Sequence, residues 1–152
     1  MKTILHFLSG ILFLCLTAQL QAQSSSTSYV WQKVSENGIW TDENSRMLGS
    51  VEANGTLKDS KGSVIGKVVQ NNNDTLTYTF SPKGGKKSAI IEKDGTVKDM
   101  NGSILYNVAA PDIKGYCNVY DAYGTIIGQV HERQKQKGVC LMYIRTKYTA
   151  SL

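Results

Sequence analysis

The chain has 152 residues, with 17 Lys and Arg against 12 Asp and Glu for a formal net charge of +5, and 41% of its residues are hydrophobic. That length fits one domain with a modest core, and the mild positive balance favours weak attraction to anionic surfaces without specifying a partner. With two histidines in all, one of them at position 6, a His-rich metal site is excluded and His131 is the one imidazole left for acid-base chemistry.

Residues 1–22 carry one cation, Lys2, an apolar run over 4–16 and the exit Leu20-Gln21-Ala22. This is the pattern of a secretory signal peptide cleaved after Ala22, too short and wrongly flanked for a membrane anchor. It places the mature chain in the periplasm or outside the cell, argues against a nucleic-acid partner, and predicts no stable membrane insertion. Cys15 follows Leu12-Phe13-Leu14 inside the apolar run, so the arrangement for lipidation is missing. Residues 23–28 are Gln and Ser-rich and read as a flexible leader. Residues 29–152 read as a single β-repeat domain. It retains two cysteines, Cys117 and Cys140, which are either a disulfide closing a loop of about 23 residues, worth roughly 3 kcal/mol, or two buried thiols.

Within the domain a hairpin phrase recurs. It spans residues 51–68, returns over 91–108 and appears shortened over 118–130. Its turns begin with Asp and end with Gly, as in Asp59-Ser60-Lys61-Gly62, the chemistry of a type I turn followed by a left-handed residue. Equivalent turns begin at Asp42, Ser81, Asp99 and Asp121, the one at Ser81 having Pro82 where a type I turn prefers proline. Between them Asn37-Gly38, Asn54-Gly55 and Asp94-Gly95 read as tight two-residue turns, so long and tight turns should alternate along a meander of strands about five residues long. The strand after each long turn runs apolar, apolar, mostly Gly, polar, Val, as in Val64-Ile65-Gly66-Lys67-Val68. Period-two alternation puts its first, third and fifth residues on one face. A glycine there implies close approach of another backbone or of an aromatic ring, for which Trp40 is a candidate.

Five hairpins with no internal helix leave two unpaired edges, which radial closure removes. The apolar segment 138–144 reads as a last strand that pairs near an opening strand over 29–34 and locks the ring. The expected fold is therefore all-β, five hairpin repeats in a meander closed around a pseudo-five-fold axis; the alternative is an open, single-layer hairpin row. At this level the chain resembles the five-fold β-flower proteins, small secreted bacterial domains. The resemblance covers residues 34–130 and rests on five turns and the pattern Gly-Thr-Val-Lys-Asp-x-x-Gly-x-x-Ile-Gly-x-Val, met best at 55–68 and 95–108. Ser45 for a turn glycine and Tyr106 for a strand glycine depart from it. The resemblance implies a fold and no activity, so it transfers no functional residue.

Few groups are arranged for chemistry. The sequence holds no nucleophile elbow, zinc-protease helix or phosphate loop. His131, beside charged residues after the last hairpin, reads as an exposed loop histidine; a hydrolase using it with neighbouring carboxylates is the alternative. Asp42, Asp59, Asp99 and Asp121 should share one rim, but their turn-capping role accounts for them without a metal. No cofactor is implied. The basic stretches 83–87 and 131–137 read as solvated loops. The eight tyrosines suit either a half-buried pleat or a binding surface, with Tyr120 and Tyr123 beside the fifth turn as the contact candidates. The functional expectation is a non-catalytic binding or structural module of the bacterial envelope, its partner an envelope protein or a glycan.

Overall fold

A computed structural model describes residues 31–72 and 74–148; the segments read as a signal peptide and a leader, and the expected cleavage after Ala22, lie outside the described residues. Eleven strands follow one another up and down: β1 (Gln32–Val34), β2 (Ile39–Asp42), β3 (Met47–Val51), β4 (Thr56–Asp59), β5 (Val64–Asn71), β6 (Asp74–Pro82), β7 (Ala89–Ile91), β8 (Val97–Lys98), β9 (Ile104–Val108), β10 (Tyr116–Asp121) and β11 (Ile126–His131). They close into a barrel, each strand pairing with its sequence neighbour, and β1 pairs with β11. An odd number of alternating strands brings the first and last together pointing the same way. The closing pair is accordingly parallel, with Gln32 opposite Gly128 and Val34 opposite Val130. The protein is thus an all-β closed meander, and the open hairpin row does not occur.

The segment 138–144 is not a closing strand. After β11 comes one 3-10 turn (Glu132–Gln134) and then a helix, α1 (Lys135–Tyr148), and β11 itself takes the place beside β1. Val139, Cys140, Leu141, Met142 and Tyr143 are all at most 3% exposed. Five consecutive helical positions cover the whole circumference, so α1 is enclosed on every side. It packs against β1, β3, β6 and β11, from opposite arcs of the wall. Eight strands would leave room only for side chains, whereas eleven leave room for a helix. Over residues 139–144 the helix is apolar all round and shows no amphipathic period, which is why that run imitates a strand.

The inner wall is built by Val34, Trp40, Val51, Leu57, Val68, Phe80, Ile91, Val97, Val119 and Val130, and α1 fills the space between them. Tyr143 stands edge-on to Phe80 and to Tyr106, with ring centroids 5.6 and 6.2 Å away. Tyr106, which replaces a strand glycine, thereby reaches the axis. The remaining glycine slots are crowded as the sequence implies. A Cβ on Gly49 would lie 3.0 Å from Trp40 Cε3, and one on Gly66 would lie 2.6 Å from Phe80 Cε2.

Alternation along these strands is interrupted. Trp40 faces Gly49 but Thr41 faces Met47, so Leu48 is a bulge residue. The same shift occurs at Ile65, Leu105 and Ile127. A bulge moves the following residue to the other face. Met47, Val64, Ile104 and Ile126 are therefore exposed at 40–47% and do not share the buried face of the glycine. The second apolar residue turns toward the core instead: Ile127 is buried, and Leu48, Ile65 and Leu105 pack against the core cluster.

The turns at both ends of the barrel also share one design. In eight of them the first residue's carbonyl accepts from the N–H three residues on, as in Gly62 to Asp59 at 3.0 Å, and its N–H donates to the carbonyl four residues on, as in Asp59 to Ser63 at 2.9 Å. They begin at Ser35, Asp42, Glu52, Asp59, Glu92, Asp99, Asp112 and Asp121. The expected difference between long and tight turns is absent, because the Asn-Gly and Asp-Gly dipeptides sit at the third and fourth positions of the same motif. The turn expected at Ser81 begins one residue later, with Gly85 donating to Pro82 at 3.0 Å. Gly84, at φ +69°, supplies the left-handed residue.

Candidate functional site

The barrel has two dissimilar ends. At the end where β11 passes into α1, the rim is closed by the helix start: Lys137 Nζ donates to Ala53 O at 2.8 Å, Gln136 Nε2 to Glu92 O at 3.2 Å, Gln134 Nε2 to Glu36 O at 3.0 Å, and Arg133 pairs with Glu36. At the other end α1 runs out and leaves a cleft of about 670 Å³ between its last turn and the β2 to β6 arc. That volume lies in the range of small-molecule sites, and a barrel mouth is where such sites recur.

The cleft is assembled from the features that set the fold. Trp40 lies over Gly49, and the bulges carry Leu48 and Ile65 over the edge of the core. Val64 and Ile144 complete the apolar wall. Trp40 is fixed from behind, its Nε1–H donating to Gln32 Oε1 at 3.0 Å. The polar edge is Asp59, Ser60, Lys83 and Arg145. Lys83 is anchored through its backbone N–H, which donates to Ile65 O at 3.0 Å, while its side chain is exposed.

The sequence-predicted residues are distributed differently. Tyr123 is 93% exposed in the turn after β10, on the same rim as the cleft, and Tyr120 is half-buried on β10. Neither lines the cleft. His131 is not an exposed loop histidine: it is the last residue of β11 and 8% exposed. Its Nδ1 accepts the Arg133 N–H at 3.3 Å, capping the 3-10 turn, and its ring packs edge-on against Tyr116 at 5.2 Å. Cys117 and Cys140 are both buried, free thiols, so of the two arrangements open to them the structure has the unbonded one. Burial pushes both thiols above their ordinary pKa, which suppresses the reactive thiolate.

The rim carboxylates cap their own turns. Asp59 Oδ1 accepts the N–H groups of Lys61 and Ser63 at 2.9 Å each, and Asp42, Asp99 and Asp121 repeat the pattern. Asp112, which the sequence reading missed, does so at the opposite end with Lys114 and Tyr116 at 2.8 and 2.9 Å. Among the described residues no group of three or more His, Cys, Asp or Glu side chains is placed to hold a metal ion.

These caps have a consequence in acid. The Tyr116 N–H holds the Asp112 carboxyl below the usual range, partly offset by burial and aided by Lys114 and Lys33. The Thr96 N–H does the same for Asp94. At Asp42 burial acts upward but is outweighed by the backbone N–H groups of Arg46 and Asn44 and by the Arg46 charge. Carboxyls depressed in the folded state contribute stability above their unfolded pKa and lose it as pH falls through the folded one. Thermal midpoints should therefore stay level from pH 7 to about 5 and fall below about pH 4. Asp112→Asn, which keeps the acceptor and removes the charge, should flatten that acid limb. An unchanged limb in melts of the variant would show that Asp112 contributes nothing to it.

The residues that form the cleft were only partly visible in the sequence. The sequence offers Trp40 as a ring over a glycine, but Ile144 and Arg145 depend on the chain being helical there. The doubled apolar residues Met47-Leu48 and Val64-Ile65 were a signal of bulges that a strict period of two conceals. Among the described residues no helix is long and apolar enough to cross a membrane. No family model matches the chain, and no curated protein or solved structure is detectably similar to it.

Proposed function

We propose that this chain is an exported, non-catalytic binding module of the bacterial envelope, and that it takes a small apolar ligand, or an apolar group of a partner, in the cleft at the open end of its barrel. The observation that carries this reading is the cleft itself: about 670 Å³, walled by Trp40, Leu48, Val64, Ile65 and Ile144 and lying at the only mouth seen among the described residues that the helix start does not close. A kinship with the five-fold β-flower proteins accompanies it. In that view β2 to β11 are five hairpins around a pseudo-five-fold axis and β1 is an added closing strand. The recurrence of the bulge at Leu48, Ile65, Leu105 and Ile127 supports it, and the hairpin of β6 and β7 departs from it.

The binding reading is favoured over a hydrolase because His131 already spends Nδ1 on a backbone N–H and its ring on Tyr116. General acid-base work needs a nitrogen directed at a substrate. A neutral apolar dye such as Nile red tests the proposal. It should bind one-to-one, and Ile65→Glu should abolish binding without loss of a cooperative melt, since Ile65 is only half-buried. His131→Ala and the double substitution of Tyr120 and Tyr123 should leave dye binding intact. If Ile65→Glu bound as tightly as the parent, the cleft would not be the site.

A further inference from the structure

We infer that the ligand of this cleft is an apolar chain ending in an acid group, with its methylenes between Trp40, Ile65 and Ile144 and its carboxylate at Lys83. The inference rests on the binding reading above and adds the charge and the shape of what is bound.

The polar edge carries two cations and one carboxylate. Asp59 is already engaged: its Oδ1 accepts two backbone N–H groups of its own turn. Its charge is thereby partly compensated from within the turn. The helix C-terminus adds partial negative charge, which Arg145 and Lys147 in the last turn offset. Lys147 is drawn back toward the helix, its Nζ donating to Tyr143 Oη at 2.9 Å. The exposed Lys83 adds a further positive charge at the mouth. Lys83 has a fixed backbone, tied to Ile65 O, so its side chain springs from beside the residue that walls the apolar part.

The geometry thus puts an apolar slot and a cationic lip side by side, held by one backbone hydrogen bond. A neutral apolar ligand would leave the lip unused. A cation would meet it as a like charge. An apolar chain with an acid head satisfies both, and the head stays at the solvent edge, where a carboxylate loses little hydration.

The test compares ligands of one chain length and three head groups, decanoate, decanol and decyltrimethylammonium, each as monomer, by calorimetry on the purified protein. Decanoate should bind at least tenfold more tightly than decanol, and decyltrimethylammonium more weakly than either. Each methylene added from octanoate to decanoate should tighten binding about threefold to fourfold. Lys83→Glu, a change of an exposed side chain, should weaken decanoate at least tenfold and leave decanol within about twofold; raised salt should weaken decanoate alone. Decanol binding as well as decanoate, or an unchanged ratio in Lys83→Glu, would overturn the acid assignment while the apolar cleft stood. Failure of all three ligands and of Nile red would overturn the cleft reading with it. Sedimentation with phosphatidylglycerol vesicles in the absence of any decanoate binding would assign the lip to an anionic lipid surface and overturn the free-acid ligand.

Discussion

Ending the chain at Gln134, so that α1 is lost, should leave a protein that no longer unfolds cooperatively. The truncation removes Val139, Cys140, Leu141, Met142 and Tyr143 from the interior, all at most 3% exposed. A fully buried apolar side chain contributes about 1.5–3 kcal/mol, so the loss of five is comparable to the roughly 5–15 kcal/mol by which a domain of this size is stable. Nothing in the wall can collapse to fill the space, because the circumference is fixed by eleven paired strands. Urea titration followed by tryptophan fluorescence is the measurement, and a sharp transition in the shortened chain would mean that the wall stands alone. Tyr143→Ala is the graded version. It loses the ring contacts to Phe80 and Tyr106 and should cost about 3–5 kcal/mol, as other buried aromatic truncations do.

Gly66→Val is the second large effect. Its Cβ would lie 2.6 Å from Phe80 Cε2 and 3.0 Å from the Ser81 carbonyl oxygen. Phe80 is fully buried against Tyr143 and has no free direction in which to move. Valine adds two further methyl groups to a site already too close for one, so about 3 kcal/mol of destabilisation is expected. Gly62→Ala makes the comparison. Nothing lies within 4 Å of the new methyl, but φ is +81°, so only the left-handed backbone opposes it and the cost should be about 1 kcal/mol. Equal denaturant midpoints for the two variants would refute the packing account of Gly66.

The wall of the barrel was legible because its signals are local. Asp at the start of a turn and Gly at its fourth position state their own hydrogen bonds, and the alternation around Gly66 and Val68 states a buried face. Closure was legible only as a need, since no residue of β1 announces that it will meet β11 in parallel. The helix was hidden for a physical reason. An element buried on all sides has no polar face, and Val139 to Ile144 therefore carry neither the helical nor the strand period. Its one sequence sign is the polar stretch of good helix formers from Glu132 to Lys137, and Gly138 interrupts even that before the apolar run begins. The cleft inherits that blindness, because Ile144 and Arg145 reach it only at the far end of α1.

The central helix also sets a clock. A growing chain presents the hairpins first, and their inward faces, Trp40, Leu57, Phe80 and Val119 among them, have nothing to lie against until residues 139–143 exist. Docking then joins α1 to β1 and β3, contacts separated by about a hundred positions in the chain, and contacts of such range make folding slow. Through that interval the strands are sticky and their edges unpaired. Among the described residues the last-made segment is thus the gatekeeper of the barrel, and two copies folding close together could exchange their helices.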